Sequence, residues 1–377
     1  MLAVAAETVD DLLLATVRDV HGAVADRAHA LTGGVSATAA ASVRAHAGVA
    51  GAVYSGVGAG LRATSRGLQA ADRHGIGARV EDSVRGRVLV SAVNGLLGDR
   101  LAEHRSALAI ELAVRRAGRD VALEPDALAE AFPGATGDVV VFLHGLGESE
   151  DAWRREVAGS RTSYGSRLAE ETTWTPVYLR ANTGLPIAEN GVALACLLDA
   201  LVRGWPTPVR RIALVGHSMG GLVMRAACAV PTDVEHGWRT LVTDVVTLGT
   251  PHLGAPLERG VAAGARALAH LPESAPFGRI LEYRSLGILD LRAGLARDVA
   301  NLPAARYHLV AATLAGSRRH PLSRALGDLL VGYPSATGRP RRGPEMFPGA
   351  DVLHVRGDHF TLVNHPDVYD ALRGWLR

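Results

Sequence analysis

A serine flanked by glycines, lying between an apolar run and a helix-like run, is the segment that most restricts how this 377-residue chain can fold. Residues 211–215 are mostly apolar and lead into Gly216-His217-Ser218-Met219-Gly220, after which residues 221–227 have helical character. G-x-S-x-G between a strand and a helix is typical of a nucleophile elbow, a strained turn that raises the serine hydroxyl above a sheet. The pattern predicts that Ser218 is a catalytic nucleophile. The alternative is a chance Gly/Ser turn in a chain with 43 glycines.

Apolar runs that predict β-strands alternate with helical stretches from residue 90 onward. The runs cover residues 139–143, 176–179, 212–215, 245–248, 307–311 and 352–355. Continuous runs of this kind are typical of strands that are covered on both faces. The alternation predicts an α/β fold with a doubly wound, mostly parallel sheet. Before these runs, alternating residues on both sides of Gly118 predict an antiparallel strand pair, although the alanines between them leave a helix open.

The domain organisation is predicted from shifts in composition along the chain. Residues 1–90 are rich in Ala, Val, Gly and Arg, contain no catalytic constellation, and predict an N-terminal helical extension. Residues 91–377 contain the alternating strands and helices and predict one α/β domain. Within that domain, residues 255–305 lack strand character and predict a helical insertion. The insertion is interpreted either as a lid or acyl-chain-binding cap, or as plain cover for the core.

Composition excludes several classes of chemistry. The chain has no lysine, since all 40 of its basic residues are arginines, and this argues against Schiff-base catalysis, pyridoxal phosphate and Walker-A phosphate binding. A formal net charge of +2 gives no excess of basic residues of the kind that binds nucleic acid. Cys196 and Cys228 form no C-x-x-C pattern, so we predict two buried thiols, with one disulfide as the alternative. No cofactor and no metal site are predicted.

The N-terminus and the apolar segments bear on localisation. Acidic residues Glu7, Asp10 and Asp11 stand where a signal peptide would carry a basic region. Residues 45–61 contain no formally charged side chain, but they are mostly Ala and Gly and are too short and too weakly apolar for a membrane span. The sequence predicts a cytoplasmic protein and leaves peripheral membrane association open.

A nucleophilic serine requires a histidine base, and His359 is the best candidate. A serine hydroxyl is a weak nucleophile at neutral pH, so it needs a base whose tautomer is fixed by a carboxylate. In sheets of this type the chain order is Ser, then Asp or Glu, then His. His359 follows the last predicted strand and precedes the closing helix, so it can reach back over the elbow. The rivals are His354, inside that strand, and His365, at the start of the helix.

Asp328 is the predicted acid partner. It follows the strand predicted at residues 307–311 and lies between a glycine and an apolar run, on a loop that can pack inward. The alternative is an ordinary turn aspartate, which is common before such runs. Asp290 and Asp298 are rivals within the helical insertion, and Asp244 is a rival at the start of a strand.

An oxyanion requires two converging backbone N–H donors, which are predicted at Leu146 and Met219. Met219 follows the nucleophile, and Leu146 lies in the His-Gly-Leu-Gly loop that comes after the first parallel strand. His144 is expected to order that loop through hydrogen bonds. The acidic residues that follow the loop, Glu148, Glu150 and Asp151, are interpreted as a solvated helix start.

Three motifs together resemble the α/β-hydrolase superfamily. They are HGLG at 144–147, GHSMGG at 216–221 and TLGTPHLG at 247–254, and RANTG at 180–184 adds to the likeness. The similarity covers roughly residues 90–377 and is closest to the lipase/esterase branch, which includes bacterial triacylglycerol lipases and inositol-deacylase-like proteins. It implies the α/β-hydrolase fold, the triad Ser218, Asp328 and His359, and oxyanion donors at Leu146 and Met219. Calcium-dependent lipases have an aspartate shortly after the catalytic histidine, whereas Phe360 and Thr361 stand here, so no calcium site is predicted.

The resemblance and the motifs together predict a serine hydrolase that cleaves carboxylic esters through an acyl-enzyme. The expected substrate is a small-molecule or lipid ester. One alternative is an acyltransferase in which an alcohol accepts the acyl group. Another is a non-catalytic membrane-binding or partner-binding protein on a hydrolase fold. The sequence leaves the acyl chain length and the oligomeric state open.

Overall fold

The computed structural model describes residues 80–104, 106–157, 159, 162–231, 237–255, 285–294, 299–314, 317, 327–328, 330–340 and 342–377. The chain divides into two compact units, and the larger one comprises Glu81–Arg105, Ala109–Glu258 and Arg284–Arg377. The strands and α-helices given below all belong to this unit. Most of the predicted N-terminal extension and most of the predicted insertion at 255–305 lie outside the described residues, so both stay predictions.

Eight strands form one sheet in the order β2-β1-β4-β3-β5-β6-β7-β8. Their bounds are β1 Ala113–Arg116, β2 Arg119–Val121, β3 Asp138–Leu143, β4 Trp174–Arg180, β5 Arg211–His217, β6 Val242–Leu248, β7 Arg306–Thr313 and β8 Asp351–Arg356. Strand β1 is antiparallel to β2 and β4, and all pairs from β4 through β8 are parallel. The predicted doubly wound, mostly parallel sheet is confirmed, as is the antiparallel pair around Gly118.

Helices cover both faces of the sheet. The α-helices are α1 Val84–Glu103, α2 Pro125–Ala131, α3 Tyr164–Glu171, α4 Ile187–Gly204, α5 Met219–Ala229, α6 Leu286–Ala293, α7 Tyr333–Ala336 and α8 Pro366–Trp375. Short 3-10 helices cover Val80–Asp82, Glu150–Arg154, Trp238–Leu241 and His359–Val363. Among the described residues, no helix combines the length and apolar character that crossing a bilayer requires.

Two helices bear on sequence predictions. The Ser83 side chain accepts the Gly86 N–H and caps α1 at its start, so this helix runs across the domain boundary predicted at residue 90. Cys196 and Cys228 are both free thiols, and Cys228 is buried as predicted. Cys196 is exposed, so the prediction of a buried thiol is wrong there, because the residue lies on the outward face of α4.

The sheet separates two apolar cores, and β3 shows why its sequence is continuously apolar. Val139, Val141 and Leu143 face one core, while Val140 and Phe142 face the other. Helices α4 and α5 close the first core, and α3 and α8 close the second. Because the strands from β3 to β8 are parallel, the loops after their carboxyl ends meet at one edge of the sheet. The predicted site residues lie on these loops.

Candidate active site

Ser218 occupies a sharp, strained turn between β5 and α5. Its backbone has φ 52° and ψ −122°, which is a left-handed conformation that costs free energy for any residue with a Cβ. The Ser218 N–H donates to the Leu248 carbonyl at 2.8 Å, which ties the turn to the end of β6. A Cβ on Gly216 would lie 2.6 Å from the Gly221 Cα, so only glycine allows the strand and the helix to approach this closely.

Asp328 and His359 form a buried hydrogen-bonded pair. The His359 Nδ1 and the Asp328 Oδ2 are 2.7 Å apart. The other carboxylate oxygen accepts the N–H groups of Leu330 at 3.0 Å and Val331 at 2.7 Å. The His359 N–H also donates to the Asp328 carbonyl at 2.9 Å, so both the backbone and the side chains of the two residues are joined. The carboxylate therefore has a fixed orientation toward the imidazole.

The pair with Asp328 leaves the far nitrogen of His359 available. Since Nδ1–H donates to a carboxylate, neutral His359 carries its lone pair on Nε2. This Nε2 atom is buried and has no hydrogen-bond partner among the described residues. The His359 ring lies 4.8 Å, centroid to centroid, from the ring of His217, which directly precedes Ser218. The structure thus places an unpaired base nitrogen in the neighbourhood of the elbow.

The loop of residues 144–148 lies against the elbow, since a Cβ on Gly145 would be 3.0 Å from the Ser218 Cβ. The Glu148 N–H donates to the Gly145 carbonyl at 3.2 Å and closes a turn. Within that turn, the Gly145 N–H donates to Glu148 Oε2 at 3.0 Å and the Gly147 N–H to Thr183 Oγ1 at 2.9 Å. The Leu146 N–H is the remaining donor of the turn, and no acceptor for it occurs among the described residues.

Met219 is the first residue of α5, so its N–H has no acceptor within the helix. Its side chain is fully buried and packs in the first core rather than lining a cleft. The backbone N–H groups of Leu146 and Met219 therefore both lie beside the elbow as unpaired donors.

His144 fixes the orientation of the peptide group that carries the Leu146 N–H. The His144 Nε2 accepts the Ala181 N–H at 3.1 Å, so its proton is on Nδ1, which donates to the Gly145 carbonyl at 2.9 Å. Burial lowers the pKa of the His144 imidazole and keeps it neutral. Because the carbonyl and the N–H of one trans peptide point in opposite directions, holding the Gly145 oxygen also aims the Leu146 N–H. His144 orders the loop as the sequence predicts.

Known proteins are similar to this chain in the segment that contains the elbow. Residues 134–263 match the family described as PGAP1-like alpha/beta domain, and this range includes the loop of residues 144–148, the elbow and β6. The sequence is also 29% identical over 160 residues to a triacylglycerol lipase from Burkholderia plantarii. In fold and in the sequence of this segment, the chain is similar to lipase/esterase-like α/β-hydrolases. The lipase match covers 40% of this chain and 39% of the lipase, so it spans well under half of that relative.

Solved structures of a lipase and an esterase are similar to this chain. The mature Bacillus licheniformis lipase BlEst2 is 21% identical with a TM-score of 0.44, and the match covers 63% of this chain and 91% of the lipase. A thermophilic esterase from Thermogutta terrifontis is 15% identical with a TM-score of 0.40, and the match covers 64% of this chain and 90% of the esterase.

The rival histidines are held by other contacts. The His354 Nε2 lies 2.8 Å from the Thr313 Oγ1, between β8 and β7. His365 caps α8, where its Nδ1 accepts the Asp367 N–H at 3.2 Å. Neither of these histidines is hydrogen-bonded to Asp328, whereas His359 is.

The rival aspartates also have separate partners. Asp244 bonds to His308 at 3.0 Å and to Arg306 at 3.1 Å near the amino end of β6, away from the elbow. Asp290 accepts the Ile187 N–H at 2.8 Å. Asp298 lies outside the described residues. The described rivals therefore do not compete with Asp328 for His359.

A short helix does begin at Glu150, as the acidic residues after the 144–147 motif predict, but their side chains are largely buried and paired, so the prediction that they are solvated is wrong. Glu150 accepts from Arg115 Nε at 2.9 Å, and Asp151 accepts from Arg87 Nε at 2.7 Å. These arginines come from β1 and α1. The two partners of each pair lie 35 and 64 positions apart along the chain. Such pairing leaves no local signal in the sequence, so the burial of these acidic side chains was not predicted.

Glu148 is the functional candidate that sequence reasoning missed. Its Oε2 lies 2.8 Å from the Nδ1 of His217, a side chain that is 1% exposed. Burial by itself raises the pKa of Glu148, but the charge and hydrogen bond of His217 and the Gly145 N–H outweigh burial and bring the pKa to about 2. Glu148 is therefore ionised beside the residue that precedes Ser218. A signal was available, because Glu148 and His217 both lie near the carboxyl ends of neighbouring strands.

Proposed function

We propose that this hydrolase cleaves carboxylic esters, with Ser218 as nucleophile, His359 as base and Asp328 as the acid that orients the base. The observation that carries the proposal is the 2.7 Å bond between Asp328 and His359, which leaves the buried His359 Nε2 without a partner near the elbow. The strained backbone of Ser218 supports it as well, because such strain persists where the surrounding structure and function require it.

In the proposed reaction, His359 Nε2 takes the Ser218 hydroxyl proton as Oγ attacks the ester carbonyl carbon. The Leu146 and Met219 N–H groups donate to the oxyanion that forms, and Asp328 stabilises the imidazolium. Collapse of the tetrahedral intermediate breaks the ester C–O bond, and the alcohol leaves with the proton from Nε2. Water then gives a proton to His359 Nε2 and attacks the acyl carbon, and collapse of the second tetrahedral intermediate breaks the bond to Ser218 Oγ, which takes the proton back from Nε2 as the acid is released.

The proposed substrate class is a lipid ester. The similarity to a triacylglycerol lipase supports this class, although the match covers 39% of that lipase. An ester series of increasing acyl length, assayed in solution and as an emulsion, tests it. Turnover that rises with acyl length on emulsified substrate supports a lipid ester, and turnover confined to short soluble esters contradicts it.

Matched histidine variants test the proposed base. His359→Gln is expected to lower kcat by about 10⁴-fold or more, because loss of a triad member leaves only binding and oxyanion stabilisation. His354→Gln is the control, since this histidine lies on β8 just before the same loop and is held by Thr313. Equal turnover in the two variants would remove His359 as the base.

Product analysis with added alcohol distinguishes ester hydrolysis from acyl transfer. A new ester in place of free acid would identify an acyltransferase.

A further inference from the structure

A buried contact between the Glu148 carboxylate and the His217 imidazole lies directly beside the proposed nucleophile and has no part in the triad. We infer that His217 is an imidazolium paired with the Glu148 carboxylate, and that the pair is a positioning element for the residues around Ser218. Its effect on catalysis rests on the proposed function, whereas its protonation state does not.

The protonation of His217 follows from its two acceptors. The Nδ1 lies 2.8 Å from Glu148 Oε2, and the Nε2 lies 3.1 Å from the His359 carbonyl oxygen. A carbonyl oxygen only accepts, so Nε2 must carry a proton. Glu148 also accepts the Gly145 N–H through Oε2 at 3.0 Å and the Arg155 guanidinium through Oε1 at 3.5 Å, as an ionised carboxylate does, so Nδ1 must carry a proton too. An imidazole that donates from both nitrogens is a cation.

The surroundings make this charge depend on Glu148. His217 is 1% exposed, and its ring contacts the edge of Trp153 with centroids 6.5 Å apart. The other charged or titratable groups that face the pair are His144, which burial keeps neutral, His359 and Arg155. The Arg155 guanidinium lies 3.5 Å from Glu148 Oε1 and is cationic, so it cannot stabilise an imidazolium. A buried cation that lacks a carboxylate is costly, so loss of the Glu148 charge is expected to return His217 to the neutral form.

The pair connects three loops, and the proposed chemistry requires these loops to hold fixed positions relative to one another. Glu148 Oε2 holds the Gly145 N–H and with it the loop that follows β3. His217 is the last residue of β5 and precedes Ser218. Its Nε2–H holds the His359 carbonyl and with it the loop that follows β8. One ion pair therefore sets the position of the Leu146 N–H and of the His359 imidazole relative to Ser218.

Nuclear magnetic resonance of the full chain with ¹⁵N-labelled histidine tests the protonation state directly. At about pH 8, where an ordinary histidine is neutral, His217 is expected to show two solvent-shielded N–H protons. Loss of both signals in His217→Gln assigns them. In Glu148→Gln one of the two is expected to disappear. A single N–H proton on His217 at that pH in the wild type would overturn the inference, whatever the enzyme does to esters.

Kinetics test the positioning role. Glu148→Gln is expected to lower kcat on the order of 100-fold with KM little changed. The Leu146 N–H and the His359 imidazole would shift relative to Ser218, whereas the contacts to the substrate would remain. Asp138→Asn is the matched control. Asp138 is also a buried carboxylate with a pKa lowered to about 2, but it begins β3 at the opposite end of the strand. Its variant is expected to keep the wild-type kcat.

The outcomes separate this inference from the proposed function. Wild-type kcat in folded Glu148→Gln, or an equal loss in the Asp138→Asn control, would overturn the positioning role. Ester turnover that is unchanged in Ser218→Ala would refute the proposed function, and the proton count on His217 would still decide whether the ion pair exists. If Glu148→Gln does not fold, the wild-type spectrum decides whether the ion pair exists, and the kcat of His217→Gln decides the positioning role, which a wild-type kcat would overturn.

Discussion

Asp328 determines which nitrogen of His359 is available for chemistry. Its carboxylate is held by two backbone N–H groups and accepts the His359 Nδ1–H at 2.7 Å. An asparagine side chain in the same position would present an N–H group or a weaker acceptor to Nδ1, and it would favour the wrong tautomer of the imidazole. The proposed chemistry of the site therefore depends on the negative charge of the Asp328 side chain.

Asp328→Asn is expected to lower kcat by about 10⁴-fold while the protein stays folded, because the tautomer changes and the geometry does not. Steady-state ester hydrolysis measures the effect. Asp351→Asn is the control, since this exposed aspartate begins β8 and contacts His308 away from the elbow. A kcat for Asp328→Asn within a few-fold of that of the control would contradict the role of the acid.

Ser218 is expected to store strain that a glycine would release. At φ 52° and ψ −122° a side chain with a Cβ is unfavourable, whereas glycine adopts such angles readily. Ser218→Gly is therefore expected to have a free energy of unfolding about 1 kcal/mol higher than Ser218→Ala, since both lack the hydroxyl. Urea unfolding of the two variants measures the difference. A glycine variant that is no more stable than the alanine variant would show that the turn is not strained.

At the scale of elements, the sequence was informative about strands and uninformative about the ion pairs between them. The β3 run predicts a strand covered on both faces, because alternate residues such as Val140 and Val141 enter different cores. The burial of Glu148 could not be predicted in the same way. Its partner His217 is 69 residues away, and a run of acidic residues after a loop is usually solvated.

The amino end of β3 carries a second buried carboxylate that is expected to stabilise the fold without affecting catalysis. Asp138 accepts from Arg210 at 2.9 Å, Arg211 at 3.1 Å and Thr173 at 2.6 Å. Burial alone would raise the pKa of Asp138, but these hydrogen bonds lower it from 3.8 to about 2. The side chain thus binds its proton less readily in the folded chain than in the unfolded chain.

Asp138→Asn is expected to lower the free energy of unfolding at pH 7 by about 1 to 2 kcal/mol. Because the folded pKa is depressed, this stabilisation is present above the unfolded pKa and is lost as the pH falls through the folded pKa. The difference between wild type and variant should therefore shrink between about pH 4 and pH 2, which urea unfolding across that range measures. A difference that stays constant over the range would contradict the ionic origin of the effect.

Across the whole molecule, the predicted site residues lie at one edge because the strands that precede them are parallel. The order of Ser218, Asp328 and His359 along the chain could be predicted from the elbow motif. The pairing of Asp328 with His359 across 31 residues was predicted from this order and from the family resemblance, whereas the loop conformations that produce it left no local pattern in the sequence. The helical insertion predicted at residues 255–305, interpreted as a lid or cap or as cover for the core, stays a prediction, because residues 256–284 and 295–298 lie outside the described residues.

Reaction with a fluorophosphonate, followed by peptide mass spectrometry, tests whether Ser218 is an activated nucleophile. The reagent bonds to a serine oxygen only when a base and an oxyanion site activate that oxygen. We expect one modification per wild-type chain, on the peptide that contains Ser218, and no modification of Ser218→Ala. Labelling of Ser218→Ala at the wild-type rate, or modification of the wild type at another serine, would contradict the account.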